Sequence, residues 1–426
     1  MKNVSLEEKI KIGLERDCRI NLNECAEICN SQSLSFGVAV SGGADSICLL
    51  ISLCNILKNY QIPLKVISIN HYIRPDEETC GDVEFVKKTC NQLASAGFNV
   101  KFFVRELEKG LVNSTAESRK MGIEEAARFL RYEAFDEFIQ KEKILYLCLA
   151  HNKNDFYETV LMRFLQGASC DSFFGISFVR GKFIRPMLNV ERNEIEDFLI
   201  QRGQTWRTDS TNSNTDYLRN KIRKNLMPFL SENFRGWKTA VEKGAKKAEF
   251  DSEFITGYVN KILIRQDCDE ICSVACEDFI KEPEAVQIRL LLKMANQISE
   301  NCRIPFVFLN EISKNFTNFF NEMKNSGINL SMQNNKCEKN FADISYFIKE
   351  NRIYAKKIVS VISEYCFSDI ITEAGFYEYD WGSLEVTEIS GDGMNSKLFN
   401  LDLKYKSGKT DRIKTDLPYQ LVINGL

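Results

Sequence analysis

The sequence predicts an α/β protein: a parallel sheet wrapped by helices through its first half, then a helical middle region and a small α/β tail. Three observations predict it. Short apolar runs alternate with helix-like patterns through the first 205 residues, the rhythm of strands joined by crossover helices. The first apolar run passes directly into a glycine-rich turn and a new helix. Polar clusters stand at the far ends of three of the runs, where open parallel sheets hold their ligands. At 426 residues the chain has room for two or three domains, and the expected divisions are 1–215, 216–345 and 346–426.

The first strand is Phe36–Val40, followed by Ser41-Gly42-Gly43-Ala44-Asp45-Ser46 and the apolar run Ile47–Ile51. Two glycines let the backbone curl so that successive N–H groups point at one anion. The helix beginning near Asp45 adds its positive end to the same spot. No Gly-Lys-Ser/Thr follows, so this is not a Walker A loop. Further strands are expected at Leu64–Asn70, Val100–Val104 and Ile144–Ala150, with helical patterns at 46–59, 78–95, 116–141 and 155–166. Ser41–Ser46, Asn70-His71 and His151–Asp155 then meet in one crevice, which holds both of the chain's histidines.

Two helical segments carry charge into that crevice. In Gly122–Tyr132, Glu124, Arg128 and Arg131 share one helix face, which by itself reads as a surface ion-pair stripe. In His151–Thr159, Asp155 and Glu158 read either as first-turn acids suited to the helix dipole or as ligands for Mg²⁺ or an ammonium group.

Composition limits the rest. The net charge is −3, so any polyanion surface must be local. From Asp216 to Ala248 nine Lys/Arg face three acids, +6 in all, with Phe234 and Trp237 among them, which suits phosphate binding and stacking. No apolar run approaches the roughly 20 residues of a membrane span, and no secretion signal follows Met1. The 15 cysteines are scattered among strand and helix patterns and are expected to be reduced, in a cytoplasmic protein. Cys268, Cys272 and Cys276 recur every four residues and are expected to form a buried helix stripe rather than a metal site.

The string Ser-Gly-Gly-Ala-Asp-Ser at 41–46 resembles the pyrophosphate loop of the ATP pyrophosphatases, which open ATP between the α and β phosphates. With it come Asn70-His71-Tyr72-Ile73-Arg74-Pro75, the Glu124…Arg128…Arg131-Tyr132 helix, and His151…Asp155…Glu158-Thr159 with Met162-Arg163 and Gln166-Gly167-Ala168. Arg185-Pro186-Met187-Leu188, Trp206, Asp209, Asn212 and Tyr217-Leu218-Arg219-Asn220-Lys221-Ile222-Arg223 follow. In this order, over residues 36 to 230, the series is similar to the tRNA(Ile)-lysidine synthetase family.

The resemblance implies a Rossmann-like sheet and a two-step reaction on the wobble cytidine of tRNA(Ile) with a CAU anticodon. The cytidine C2 oxygen attacks the α-phosphate of ATP, and the ε-amine of free L-lysine then displaces AMP. It implies ATP contacts at Ser41, Gly42, Gly43, Ala44, Asp45, Ser46, Asn70 and His71, and Mg²⁺ at Asp45. Catalytic roles fall to Asp45, Arg128, Asp155 and Glu158. Lysine and tRNA contacts fall to Glu124, Arg131, Asp155, Glu158, Arg163, Arg219 and Arg223. A homodimer is kept as one option, and no membrane partner is expected. The chain departs from the family pattern at Asn152, Asn154 and Phe156, where the family usually has His, Asp and a polar residue. Its resemblance past residue 246 is faint, and it ends soon after Leu417-Pro418, where relatives generally continue. The alternatives are a tRNA thiolase of the same superfamily, disfavoured by the absence of any Cys-x-x-Cys, and a decayed tRNA-binding protein.

Overall fold

The computed structural model describes the chain except residues 1–3, 120, 169–172, 209–217, 300–303, 326–335, 359–366, 372–373, 380–381, 390–397, 406–409, 416–418 and 424–426. Asp209, Asn212, Asp216, Tyr217, the turn at 391–393, Leu417-Pro418 and the terminal Leu426 therefore lie outside the described residues. The contacts divide the chain into two compact units, 1–254 and 255–426. No helix among the described residues is long and apolar enough to cross a membrane.

The first unit opens with α1 (Leu6–Ile12), which continues as a π-turn over Gly13–Asp17, and α2 (Leu22–Gln32). Then come β1 (Ser35–Ala39), α3 (Ala44–Lys58), β2 (Leu64–Asn70), α4 (Asp76–Ser95) and β3 (Val100–Glu106). They are followed by α5 (Leu111–Ser118), α6 (Ile123–Lys141), β4 (Ile144–Cys148) and α7 (Lys153–Leu165). Two short strands, β5 (Val179–Arg180) and β6 (Phe183–Ile184), and α8 (Arg192–Gln201) complete the α/β part. The sheet order is β3-β2-β1-β4-β6-β5, parallel throughout except for the β5–β6 pair. Successive strands run outward from β1 to β3, and β4 then returns to the opposite side of β1. The switch point, where such sheets open a ligand crevice, is therefore between β1 and β4.

Helix α3 is apolar nearly all round because it is covered on both sides. It packs on β1 and β2 with one face and on α1 and α8 with the other. Ile47, Leu49, Leu50 and Leu53 join Phe36 and Val38 in a core closed to solvent. That packing fixes the N-terminus of α3, and hence the glycine loop, on a fully buried part of the unit. Beyond the sheet lie α9 (Leu218–Lys221), a π-turn over Ile222–Leu226, α10 (Met227–Asn233) and α11 (Trp237–Val259). Tyr157 of α7 is fully buried against Trp237 at 5.3 Å between ring centres, and its hydroxyl donates to Glu242. The basic stretch after 216 is thus packed onto α7, and its residues up to 254 group with the α/β unit.

In the second unit, β7 (Arg265–Cys268), β8 (Ile271–Ala275), β9 (Lys336–Phe341), β10 (Ile344–Lys349) and β11 (Arg352–Lys357) form one antiparallel sheet in the order β7-β8-β11-β10-β9. Helices α12 (Cys276–Ile280), α13 (Glu284–Ile298) and α14 (Phe306–Asn325) belong to the same unit. Leu290, Leu291 and Met294 of α13 share a core with Val274 and Tyr346. The division expected at 345 runs through this sheet, because β9 and β11 both pair with β10. Within 265–275 strands replace the expected helix. Cys268 lies on β7, Cys272 on β8 and Cys276 at the start of α12, so they do not form a helix stripe. Cys272 and Cys276 are buried as expected, whereas Cys268 is exposed. Past β11 the described elements are strands: β12 (Phe367–Ile371) pairs with β17 (Tyr419–Ile423), and β13 to β16, over Gly375–Tyr379, Gly382–Ile389, Leu398–Tyr405 and Thr410–Thr415, form a four-stranded meander.

Candidate active site

The loop after β1 is held by its own serines. The Ser46 hydroxyl donates to the Gly43 carbonyl at 2.9 Å and accepts from the Ser41 N–H at 3.2 Å. Gly42 sits at φ +89°, a region that favours glycine, and its carbonyl accepts from the Arg207 N–H at 2.9 Å. Gly43 caps α3 without a side chain to satisfy the first helical N–H groups, which stay directed outward as an anion site.

Asp45 stands beside that site with both carboxylate oxygens engaged. Asn152 Nδ2 donates to Oδ1 at 2.9 Å and Arg192 Nη1 to Oδ2 at 2.5 Å. Burial raises the Asp45 pKa, Arg192 opposes that rise, and the nearby Asp155 carboxylate adds to it. The two carboxylates are near enough for Asp155 to act on the charge of Asp45, which suits a hard cation. Among the described residues no group of three or more His, Cys, Asp or Glu is placed to hold a metal. One or two carboxylates are what Mg²⁺ takes when it completes its shell with waters and phosphate oxygens, so Asp45 with Asp155 fits that ion.

Across the switch point, Asn152 and Asp155 form a reciprocal capping box at the start of α7. Glu158, one turn on, is closed to solvent, yet it accepts from Arg219 Nε at 2.8 Å, Arg223 Nε at 2.6 Å and Arg223 Nη2 at 2.9 Å. Arg219 Nη2 also donates to Asp155 Oδ1 at 2.8 Å. Two carboxylates and two guanidiniums therefore form one neutral cluster, linking α7 to α9 and the turn after it.

Both histidines are neutral donors or acceptors here. His71 Nε2 accepts from Arg131 Nε at 3.3 Å, and burial, then Arg131, pulls the ring pKa down to about 3. His151 Nδ1 accepts from Arg185 Nε at 3.3 Å, and its pKa is also lowered to about 3, by burial first and then by Arg185, Arg128, Arg219 and Arg131. Each ring keeps its proton on the other nitrogen. The His71 Nδ1 position is buried and unpaired.

The family profile described as the PP-loop domain matches residues 15–230. A tRNA(Ile)-lysidine synthase of Treponema denticola is 38% identical over 283 residues, 65% of this chain and 60% of that protein. One from Borreliella afzelii is 32% identical over 341 residues, 76% of this chain and 74% of that protein. The chain belongs to the tRNA(Ile)-lysidine synthase family. A Treponema pallidum relative of the same name is 32% identical over 274 residues, covering 64% of this chain and 55% of its own length, so two of these three matches span less than two thirds of the relative.

In this lysidine synthase family member, Ser41–Ser46, Asp45, Asp155, Glu158, Arg219 and Arg223 come together around the β1–β4 switch point. Glu124, Arg128 and Arg131 are exposed on the first half of α6, where the charges of Glu124, Arg128 and Arg219 act on Arg131. The stripe is therefore tied through His71 to the turn after β2 rather than paired only within its own helix. Asn70 is buried, and its Oδ1 accepts from the Tyr72 N–H at 3.1 Å, which shapes the turn after β2. Arg163 points elsewhere: its Nη1 donates to the Gly175 carbonyl at 2.5 Å.

Sequence reasoning missed Arg192, Arg207 and the work of the two asparagines. Asn152 holds Asp45, and Asn154 Oδ1 accepts from the Arg192 N–H at 3.1 Å. Arg207 binds Asp82 Oδ1 at 2.9 Å while its backbone holds the glycine loop. Nothing local in the sequence marks these residues, since each acts on a partner at least 38 positions away. Arg185 stood in a recognised string but had no role until its contact with His151.

Proposed function

We propose that the protein is an ATP-dependent ligase that joins the ε-amine of L-lysine to C2 of the wobble cytidine in tRNA(Ile) bearing a CAU anticodon, releasing AMP and pyrophosphate. The observation that carries the reading is the meeting, at the β1–β4 switch point, of an uncapped helix N-terminus with a buried carboxylate–arginine cluster. Membership of the lysidine synthase family supports it.

The glycine loop and the N-terminus of α3 would hold the β and γ phosphates and stabilise the charge that leaves with pyrophosphate. Mg²⁺, held at Asp45 with the help of Asp155, supplies Lewis-acid polarisation of the phosphate oxygens when bound. Neutral His71 and His151 would act as hydrogen-bond partners for the nucleotide or the base, with Arg128 and Arg131 beside them to draw the anionic RNA backbone inward. Asp155 and Glu158 would receive the lysine ammonium and take up its proton, once Arg219 and Arg223 share their charge with phosphate.

The test is incorporation of labelled lysine into a CAU-anticodon tRNA(Ile) transcript with ATP. Incorporation that Asp45→Ala abolishes is the expected result. Sulfur transfer instead of lysine, or no modification with intact ATP binding, would overturn the reading.

A further inference from the structure

We propose that Arg192 is a triphosphate-binding residue and that its ion pair with Asp45 is a resting position. The inference rests on the proposed use of ATP. Arg192 opens α8, where its backbone N–H is fixed by Asn154. Its guanidinium is gripped at two points: Nη1 by Asp45 and Nε by Glu196 Oε1 at 2.7 Å, one helical turn on. Nη2 makes no hydrogen bond among the described residues. The pair with Asp45 joins groups 37% and 28% exposed, so it is open to replacement by a ligand.

The location decides what replaces it. Asp45 lies in the first turn of α3, beside the uncapped N–H groups where an anion enters. A bare carboxylate there repels a triphosphate, and Arg192 cancels that charge while no ligand is bound. A divalent cation taking Asp45 Oδ2, the oxygen that holds Nη1, displaces it. With Nε still on Glu196, the Nη1 and Nη2 end of the guanidinium is free, a fork that can pair with phosphate oxygens. One arginine thus neutralises Asp45 at rest and the nucleotide when loaded.

A purely structural ion pair predicts something different, so two affinities with opposite signs decide. In the full-length protein stripped with EDTA, Mn²⁺ alone is titrated by EPR of the free ion. Magnesium with α,β-methylene-ATP is titrated by calorimetry. Arg192→Gln is expected to bind Mn²⁺ several-fold tighter, because no guanidinium competes, and the nucleotide about tenfold more weakly. Arg192→Lys, which keeps the charge without the fork, should fall between, and it carries the test if Arg192→Gln fails to fold. Nucleotide affinity equal to wild type, or both affinities falling together, would overturn the assignment. A wild-type protein that does not bind the nucleotide at all would remove the proposed function and this inference with it.

Discussion

Glu158→Gln is the sharpest probe of the carboxylate–arginine cluster. The side chain is 1% exposed and accepts three hydrogen bonds from two guanidiniums. Hydrogen bonds to charged groups contribute about 1.5–3 kcal/mol each, but Arg219 and Arg223 are 31% and 44% exposed, and water partly replaces what they lose. The amide oxygen can also still accept, up to two of these bonds, while its NH2 cannot. The net loss is then about 2–3 kcal/mol, or roughly a 5–10 °C fall in Tm for a unit of this size. Two of the three tryptophans, Trp206 and Trp237, lie in residues 1–254, so the melt is followed by tryptophan fluorescence with Trp381 of the second unit replaced by Phe. A double-mutant cycle with Arg223→Gln should give a coupling of roughly 1–2 kcal/mol. A Tm shift near zero, or strict additivity in the cycle, would refute the claim that the buried charge is held by these arginines. On the proposed function, Glu158→Gln also raises KM for lysine.

Three further outcomes are expected. His71 and His151 have folded pKa values of about 3, below the ordinary 6.5, so between these values only the unfolded chain takes up their protons. The stability they support is present above 6.5 and lost as pH falls, by about 1.4 kcal/mol per pH unit for each, and His71→Asn should shallow the slope of urea-melt stability between pH 6 and 5. Gly13→Ala puts a Cβ 2.1 Å from the Pro186 carbonyl oxygen and should cost about 1–3 kcal/mol, whereas Gly122→Ala, with nothing within 4 Å, should leave Tm unchanged; equal shifts would contradict the packing. Alkylation of the native protein at pH 8 should mark Cys80 and Cys268, while Cys48, Cys54, Cys90, Cys272 and Cys276, buried with thiol pKa values pushed up to about 12, react only after unfolding; mass spectrometry of the labelled peptides reads this directly.

By itself the sequence determined what is local or periodic. Strand β2 at Leu64–Asn70 was legible to the residue, because a seven-residue β-branched run bounded by turn signals is too short for a helix and favours a strand. The glycine loop was legible because its conformation is written in Gly42, Gly43 and the serines that close it. The same local reading failed at 265–275. Cysteines every fourth residue fit a helix, and only the pairing of β8 with β7 on one side and β11 on the other makes that stretch two strands. Tertiary structure alone decided the partners. Asp155 and Glu158 look like first-turn acids in sequence, and they become a cluster only because α9, more than 50 residues later, folds back onto α7. Arg192 shows the same dependence over 147 residues. Hydrogen bonds and ion pairs are set by distance in space, and a chain reveals that distance only where its partners are neighbours.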